Sequence, residues 1–126
     1  KAFSEVLEAN LPSIYAISRR FAARLEDQQT TGSLINITSI AGPRAMPGDP
    51  AYSVAKGGLA ALTRSLAVEL APKVRCNAIA LGYFATDANT AYLHNEEVKQ
   101  FVENRIPLKR WGPTRRDCRG SSFSSL

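Results

Sequence analysis

A tyrosine and a lysine four residues apart, Tyr52 and Lys56, are the side chains whose types and spacing point most directly to chemistry. On a helix, residues four apart project from the same face, so a phenol and an ammonium placed this way can act together. A free phenol has a pKa of about 10, and a nearby ammonium stabilises its phenolate form. The pair is therefore a candidate general acid and base. The same spacing also arises by chance in a chain with several Tyr and Lys residues.

Ser39 closes a short β-branched run, Ser33–Ser39, that is typical of a buried strand. A hydroxyl at the carboxyl end of a strand lies at the edge where open α/β sheets bind their ligands, so Ser39 is a candidate for hydrogen bonding to a substrate oxygen. A Ser at such a place also commonly caps a turn with its side chain. The residues alone leave both roles open.

The segments that must position these residues alternate between helix and strand. Apolar residues at helical spacing predict one long helix from Ala2 to Leu25, interrupted only by Pro12. The remaining pattern predicts strands over 33–39 and 74–80 and helices over 51–70 and 95–105. This alternation indicates an α/β fold with a partial Rossmann-like, doubly wound parallel sheet. Two strands do not complete such a sheet, so we expect the chain to be part of a larger domain.

Three stretches of the sequence, GSLINITSIAG, AYSVAKGGLAALTRSLAVELAP and RCNAIALGYFAT, together resemble the short-chain dehydrogenase/reductase family. The resemblance covers residues 1–112 and begins at the family's fourth helix. It implies the catalytic portion of an NAD(P)-dependent oxidoreductase that interconverts a secondary hydroxyl and a carbonyl. By the same resemblance, the helices at 2–25 and 51–70 imply a homodimer or homotetramer.

The resemblance also implies a role for each candidate side chain. Tyr52 is the catalytic acid and base, Lys56 favours its deprotonation and holds the nicotinamide ribose, and Ser39 orients the reacting oxygen. Asn10 matches a helix Asn that the family uses to fix a water in its proton relay. Taken alone, Asn10 also fits a solvent-facing position in the middle of a helix.

A further cofactor contact is implied after the second strand. The family has Pro-Gly followed by a Thr four residues beyond the Gly, closing over the nicotinamide carboxamide. Gly82 and Thr86 keep that spacing, with Phe84 between them, and Leu81 stands where the family has Pro. Without the fixed φ of proline, we expect this turn to be looser.

The runs RCNAIALGYFATDAN and RIPLKRWG are most similar to the gluconate 5-dehydrogenase branch of the family. This likeness implies a small hydroxy or keto substrate such as a sugar acid. Two alternatives stay open, a member that reduces 3-oxoacyl thioesters and a non-catalytic homologue that retains only subunit association.

The family's Gly-rich turn for the dinucleotide pyrophosphate is not among these residues. The residues of this chain therefore do not indicate whether NAD or NADP is preferred. We expect the isolated chain neither to bind a dinucleotide tightly nor to turn over substrate.

The net charge of +5 raises the possibility of nucleic-acid binding. Residues 1–104 carry equal numbers of basic and acidic side chains, whereas residues 105–126 carry six basic side chains against Asp117 alone. This segment lacks the interleaved aromatic residues of a nucleic-acid binder, so no nucleic acid is expected as a partner.

Residues 113–126 depart from the family pattern. Codons can be chosen for them that restore the pattern when read one nucleotide later, so we hypothesise a frameshift after Gly112.

Cys76 and Cys118 lie in unlike contexts, without CxxC spacing or a nearby His. We therefore expect free thiols and no metal site.

No apolar run approaches the roughly 20 residues that span a bilayer, and the first residues do not resemble a signal peptide. The expectation is a cytoplasmic chain without a membrane partner.

Overall fold

The structure, a computed structural model, describes residues 2–44 and 48–113, apart from the side chain of Ala88. It consists of two compact units, the first ending at Leu81 and the second beginning at Gly82. The expected α/β class with a parallel sheet is confirmed. Of the basic segment 113–126, all but Pro113 lies outside the described residues.

Two parallel strands form the sheet of the first unit. Strand β1 spans Gly32–Ser39 and strand β2 spans Val74–Leu81, so both predicted strands are confirmed to within a residue. They pair in register from Gly32 opposite Val74 to Ser39 opposite Leu81. The carboxyl ends of the two strands therefore lie at the same edge of the sheet.

Three helices belong to this unit: α1 spans Phe3–Asn10, α2 spans Pro12–Asp27 and α3 spans Pro50–Glu69. The long helix predicted from Ala2 to Leu25, with Pro12 as its interruption, is instead two helices, because the chain breaks at Leu11, with φ −121° and ψ −70°. Pro12 has no N–H to donate, and its ring would collide with the carbonyl four residues earlier. Proline is instead favourable at the first position of a new helix, which is where Pro12 stands.

One face of the sheet carries the core. Leu66 of α3 is fully buried against Val74 and Cys76 of β2, and Phe21 and Leu25 of α2 pack around this cluster. On the opposite face, the described side chains of both strands stay substantially exposed, including Ile35, Ile37, Ile79 and Leu81. We refer to these surfaces as the covered face and the open face. Cys76 is a free, buried thiol, and Cys118 lies outside the described residues.

The second unit contains a 3₁₀ turn at Asp87–Asn89, helix α4 at Thr90–Leu93 and helix α5 at Glu96–Arg105. Helix α5 confirms the predicted helix at 95–105, whereas the two shorter elements had no sequence prediction. The Asn95 side chain caps α5 by accepting the N–H of Val98 at 3.2 Å. Within 2–44 and 48–113, no helix combines the length and apolar composition needed to cross a lipid bilayer.

Candidate active site

Tyr52 stands in the first turn of α3, where the local sequence fixes the start of the helix. The Asp49 carboxylate accepts the N–H of Tyr52 at 2.9 Å, which is the hydrogen bond of an N-cap residue. Pro50 occupies the first helical position, where its missing N–H costs nothing. Tyr52 as a whole residue is 38% exposed, so it is not sealed within the core.

Lys56 follows one turn later and contacts both the helix and the sheet. Its Nζ lies 5.6 Å from the centre of the Tyr52 ring, within the range of a cation–π contact. The same Nζ donates a hydrogen bond to the Ile37 carbonyl oxygen at 3.1 Å. Burial lowers the pKa of Lys56, because desolvation disfavours the ammonium form. The structure thus brings the predicted pair together and ties it to β1.

Ser39 ends β1 two residues after the carbonyl that Lys56 contacts. Its Oγ accepts the N–H of Ala41 at 3.2 Å, and its backbone carbonyl accepts the N–H of Gly42 at 3.0 Å. The turn-capping role is therefore present. A hydroxyl has two lone pairs and one proton, and the turn bond uses a single lone pair. The O–H of Ser39 can still donate to a ligand, so the two roles left open by the sequence are compatible.

Gly42 is a site residue that the sequence analysis missed. A Cβ added at Gly42 would lie 2.9 Å from the backbone nitrogen of Gly57 and 3.0 Å from the carbonyl carbon of Lys56. Only glycine allows the turn after β1 to approach the backbone of α3 this closely. In the sequence, Gly42 precedes the Tyr52–Lys56 motif and Gly57 directly follows it. Their closeness in space depends on the tertiary structure and is not visible in the sequence.

Asn10 lies at the end of α1 and is half-buried. Its side-chain Nδ2 donates to the Val6 carbonyl at 2.9 Å, within its own helix. The next residue, Leu11, packs against Gly58 of α3, where an added Cβ would lie 3.0 Å from Leu11 Cδ1. The structure therefore places Asn10 beside the contact between α1 and α3. Its hydrogen bond does not join it to Ser39, Tyr52 or Lys56.

Gly82, Phe84 and Thr86 belong to the second unit, which is described by itself. The Thr86 N–H donates to the Phe84 carbonyl at 2.9 Å, and the Asn89 side chain donates to the same carbonyl at 2.9 Å. Phe84 also pairs with Gly112 as an isolated parallel bridge. A Cβ added at Gly82 would meet nothing within 4 Å. The turn expected from the sequence is thus held by hydrogen bonds at Phe84, with space around Gly82.

An aromatic pair that the sequence analysis did not single out, Tyr83 and Trp111, lies in the same unit. The two rings meet edge to face with their centres 5.6 Å apart. Burial raises the pKa of Tyr83, while the charge of Arg105 opposes this effect. Such ring pairs contribute about 0.5–1.5 kcal/mol beyond simple burial, so this contact ties Tyr83, near the start of the unit, to Trp111.

Comparison with known proteins decides the family. The sequence matches the profile of the family described as enoyl-(acyl carrier protein) reductase over residues 1–122. The chain belongs to the short-chain dehydrogenase/reductase family. The residues that suggested this family therefore sit within a match that runs through almost the whole chain.

The chain is similar to proteins of this family in sequence and to solved structures of the family in fold. The 3-oxoacyl-[acyl-carrier-protein] reductase of Aquifex aeolicus is 40% identical over 111 residues, which are 87% of this chain and 44% of the relative. A candidate gluconate dehydrogenase from Agrobacterium tumefaciens superposes with a TM-score of 0.84 at 38% identity, covering 88% of this chain and 44% of that chain. A candidate 2-deoxy-D-gluconate 3-dehydrogenase from the same organism, with bound NADP, gives a TM-score of 0.84 at 33% identity over 88% and 46% of the chains. The chain spans about half the length of the short-chain dehydrogenases that it matches.

Proposed function

We propose that Ser39, Tyr52 and Lys56 form the proton-transfer group of an NAD(P)-dependent oxidoreductase that interconverts a secondary hydroxyl and a carbonyl. The observation that carries the proposal is the placement of Lys56, whose Nζ lies 5.6 Å from the Tyr52 ring and 3.1 Å from the Ile37 carbonyl oxygen. A general acid needs a neighbour that stabilises its deprotonated form, and the nearness of the Lys56 ammonium to the Tyr52 ring supports giving it that task.

The donors present suit a nicotinamide dinucleotide. An ammonium has three N–H donors, and the contact with Ile37 uses one, so two remain for the hydroxyls of a ribose. Tyr52 and Lys56 would hold the ribose, and Gly82, Phe84 and Thr86 would contact the carboxamide. When bound, the dinucleotide supplies or accepts the hydride. Solved relatives carry NADH in a 4-hydroxyisoleucine dehydrogenase and NADP in the gluconate-type enzyme, which supports either cofactor.

The proposed path of the proton follows from the roles of the three side chains. In the reducing direction, the Tyr52 hydroxyl donates its proton to the substrate carbonyl oxygen as that oxygen gains negative charge. The Ser39 O–H donates a hydrogen bond to the same oxygen, and the Lys56 ammonium stabilises the phenolate that remains. In the oxidising direction, the phenolate takes the proton back. Asn10 is proposed to hold a water that restores the proton, supported by its half-buried place at the break between α1 and α2.

A small polar hydroxy or keto compound, such as a sugar acid, is the proposed substrate class. Its support is the structural likeness to gluconate-type dehydrogenases. A 3-oxoacyl thioester is the second candidate, favoured by the 40% identity to the Aquifex aeolicus reductase. Both substrates present a carbonyl to the same proton-transfer group, so a panel containing gluconate, 5-ketogluconate and a 3-oxoacyl thioester distinguishes them.

The test is a chimera in which this chain replaces the matched 44% of the Agrobacterium tumefaciens relative. We expect the chimera to oxidise or reduce one member of the panel, and the absorbance of the nicotinamide measures this turnover. In the same chimera, Tyr52→Phe lowers kcat by about 100-fold or more, because the general acid is lost. Tyr92→Phe, which removes the hydroxyl of a tyrosine 54% exposed on α4, leaves kcat unchanged. Full turnover by Tyr52→Phe would refute the proposed chemistry.

The 126-residue chain alone is proposed to be inactive. Its matched relatives are about twice as long, which supports a need for residues beyond those present here. Titration of the chain with NADH or NADPH, followed by nucleotide fluorescence, is expected to show no binding in the micromolar range. Micromolar binding would overturn this part of the proposal.

Subunit association without catalysis is a second candidate function. Ile17 of α2 is 63% exposed and Val68 of α3 is 83% exposed, so both helices present apolar side chains to solvent. A homodimer or homotetramer that buries them is the proposed assembly. Sedimentation is expected to show a dimer or tetramer that Ile17→Glu and Val68→Glu dissociate. Association without any turnover by the chimera would favour this function over the oxidoreductase.

Residues 113–126 are proposed to be read in a shifted frame through a single-nucleotide frameshift after Gly112, although the family profile still matches as far as residue 122. The coding DNA tests this directly. A family-like helix in the shifted frame supports the frameshift, and its absence from that frame rejects it.

A further inference from the structure

A buried polar contact joins strand β1 to helix α3 below the proposed site. Asn36 is 7% exposed and Thr63 is 3% exposed. The Asn36 Nδ2 donates to the Thr63 Oγ1 at 2.9 Å, and the Thr63 hydroxyl donates to the Leu59 carbonyl at 2.7 Å. Buried polar groups are costly when unpaired, so this pair constrains how the strand and the helix fit together.

The contact has a fixed direction. A hydroxyl carries a single proton, and the proton of Thr63 is committed to Leu59. The Thr63 oxygen can therefore only accept toward β1, and Asn36 must present its amino group. A shift of α3 along β1 would leave the amide of Asn36 without this partner in a buried position. Since apolar contacts tolerate sliding more readily than directional bonds, the pair sets the position of the helix along the strand.

This position aligns the residues of the proposed site. Asn36 contacts Thr63 while Ile37, later in the strand, contacts Lys56, earlier in the helix, so α3 runs opposite to β1. From Asn36 to Ser39 the strand advances about 10 Å. From Thr63 back to Lys56 the helix covers about 10.5 Å. A helix fixed with Thr63 beside Asn36 therefore has the backbone of Lys56 level with Ser39.

We propose that Asn36 and Thr63 are positioning residues whose buried hydrogen bond fixes α3 along β1 and thereby holds Lys56 and Tyr52 in line with Ser39. The catalytic meaning of this alignment rests on the proposed function, whereas the alignment itself is a property of the first unit. Neither residue touches the reacting atoms.

The test compares variants of the full chain by NMR, following cross-peaks between the side chain of Lys56 and the backbone protons next to the Ile37 carbonyl. Thr63→Val keeps the shape of the side chain and removes the hydroxyl, so we expect these cross-peaks to be lost. Thr63→Ser keeps a hydroxyl at this position and is expected to retain the cross-peaks. The matched control is Ser18→Ala, which removes a hydroxyl that is 1% exposed and bonded to Ile14 within α2.

A residue with a merely structural role would lower the melting temperature without moving Lys56. Cross-peaks of native intensity in Thr63→Val, or their equal loss in Ser18→Ala, would overturn the proposal. If Thr63→Val does not fold, exchange of the Asn36 side-chain amide protons in the unaltered chain tests the buried bond on which the positioning depends. We expect exchange about tenfold slower than for Asn77, which is exposed on β2, because the bond must open first. Equal rates would contradict the buried bond.

The chimera assay and these spectra can fail separately. Loss of the cross-peaks in Thr63→Val without turnover by the chimera would support the alignment and reject the proposed chemistry. Turnover by the chimera with cross-peaks unchanged in Thr63→Val would support the chemistry and reject the positioning role.

Discussion

The two faces of the sheet differ in how they are covered and in what they do for the site. On the covered face, Asn36, Thr38, Val74 and Cys76 are buried, with the helices packed against them. On the open face, Ile35 is 57% exposed and Ile79 is 48% exposed. Strands of parallel sheets are ordinarily apolar on both faces because both become buried. The side-chain contacts that place α3 against β1 come from the covered face, so that face positions Tyr52 and Lys56 of the proposed site.

The largest expected difference between the faces is in stability. Leu66 is fully buried in the covered core, and Leu66→Ala is expected to lower the free energy of unfolding by about 2–5 kcal/mol through the cavity it leaves. Ile79→Ala on the open face is expected to cost about 1 kcal/mol or less, since much of that side chain is already in water. Urea unfolding measures both. Equal costs would show that the open face is packed as tightly as the covered one.

The sequence predicted the elements of this architecture better than the contacts between them. Both strands and α3 were predictable, because β-branched runs, Pro50 and the apolar pattern each act locally. At Pro12 the sequence indicated an interruption but not two separate helices, because the apolar spacing continues through Leu11 whereas proline acts on the backbone. The remaining short elements of the second unit have too few residues to show a helical period.

For the site, the Tyr52–Lys56 pair was predictable because its two members share a helix. The bond of Lys56 to Ile37 and that of Asn36 to Thr63 join positions 19 and 27 residues apart. No local pattern encodes which residues meet at such a distance along the chain. Gly42 escaped notice for the same reason, since its importance lies in the backbone of α3 that it approaches.

A smaller effect is expected from filling the space at Gly42. Gly42→Ala places a Cβ about 3 Å from the backbone of α3, and we expect a loss of about 1–3 kcal/mol in the free energy of unfolding. Gly82→Ala is the matched control, because an added Cβ there meets nothing within 4 Å, and its expected effect is about 0.5 kcal/mol or less. Thermal unfolding of the two variants measures the difference. A Gly42→Ala chain as stable as Gly82→Ala would mean that the turn and the helix are not in close contact.

The smallest expected effect is the pH dependence that Lys56 contributes. Its pKa is lowered in the folded state, so between that pKa and about 10.5 the unfolded chain binds more protons than the folded chain. The contribution of Lys56 to stability therefore rises with pH across this window and is constant below it. Lys56→Met is expected to remove this rise, whereas Lys99→Met, which alters an exposed lysine on α5, is expected to keep it. Urea unfolding from pH 8 to pH 11 measures it, and an unchanged rise in Lys56→Met would assign it to other groups.

The central claim is that the covered face alone assembles Lys56 against β1. The most direct measurement is the set of NMR cross-peaks between the Lys56 side chain and the backbone at Ile37 in the chain without dinucleotide, repeated in the open-face double variant Ile35→Ser, Ile79→Ser. The account predicts these cross-peaks in both proteins, with equal intensity. Their absence from the unaltered chain, or their loss when only the open face is changed, would contradict it.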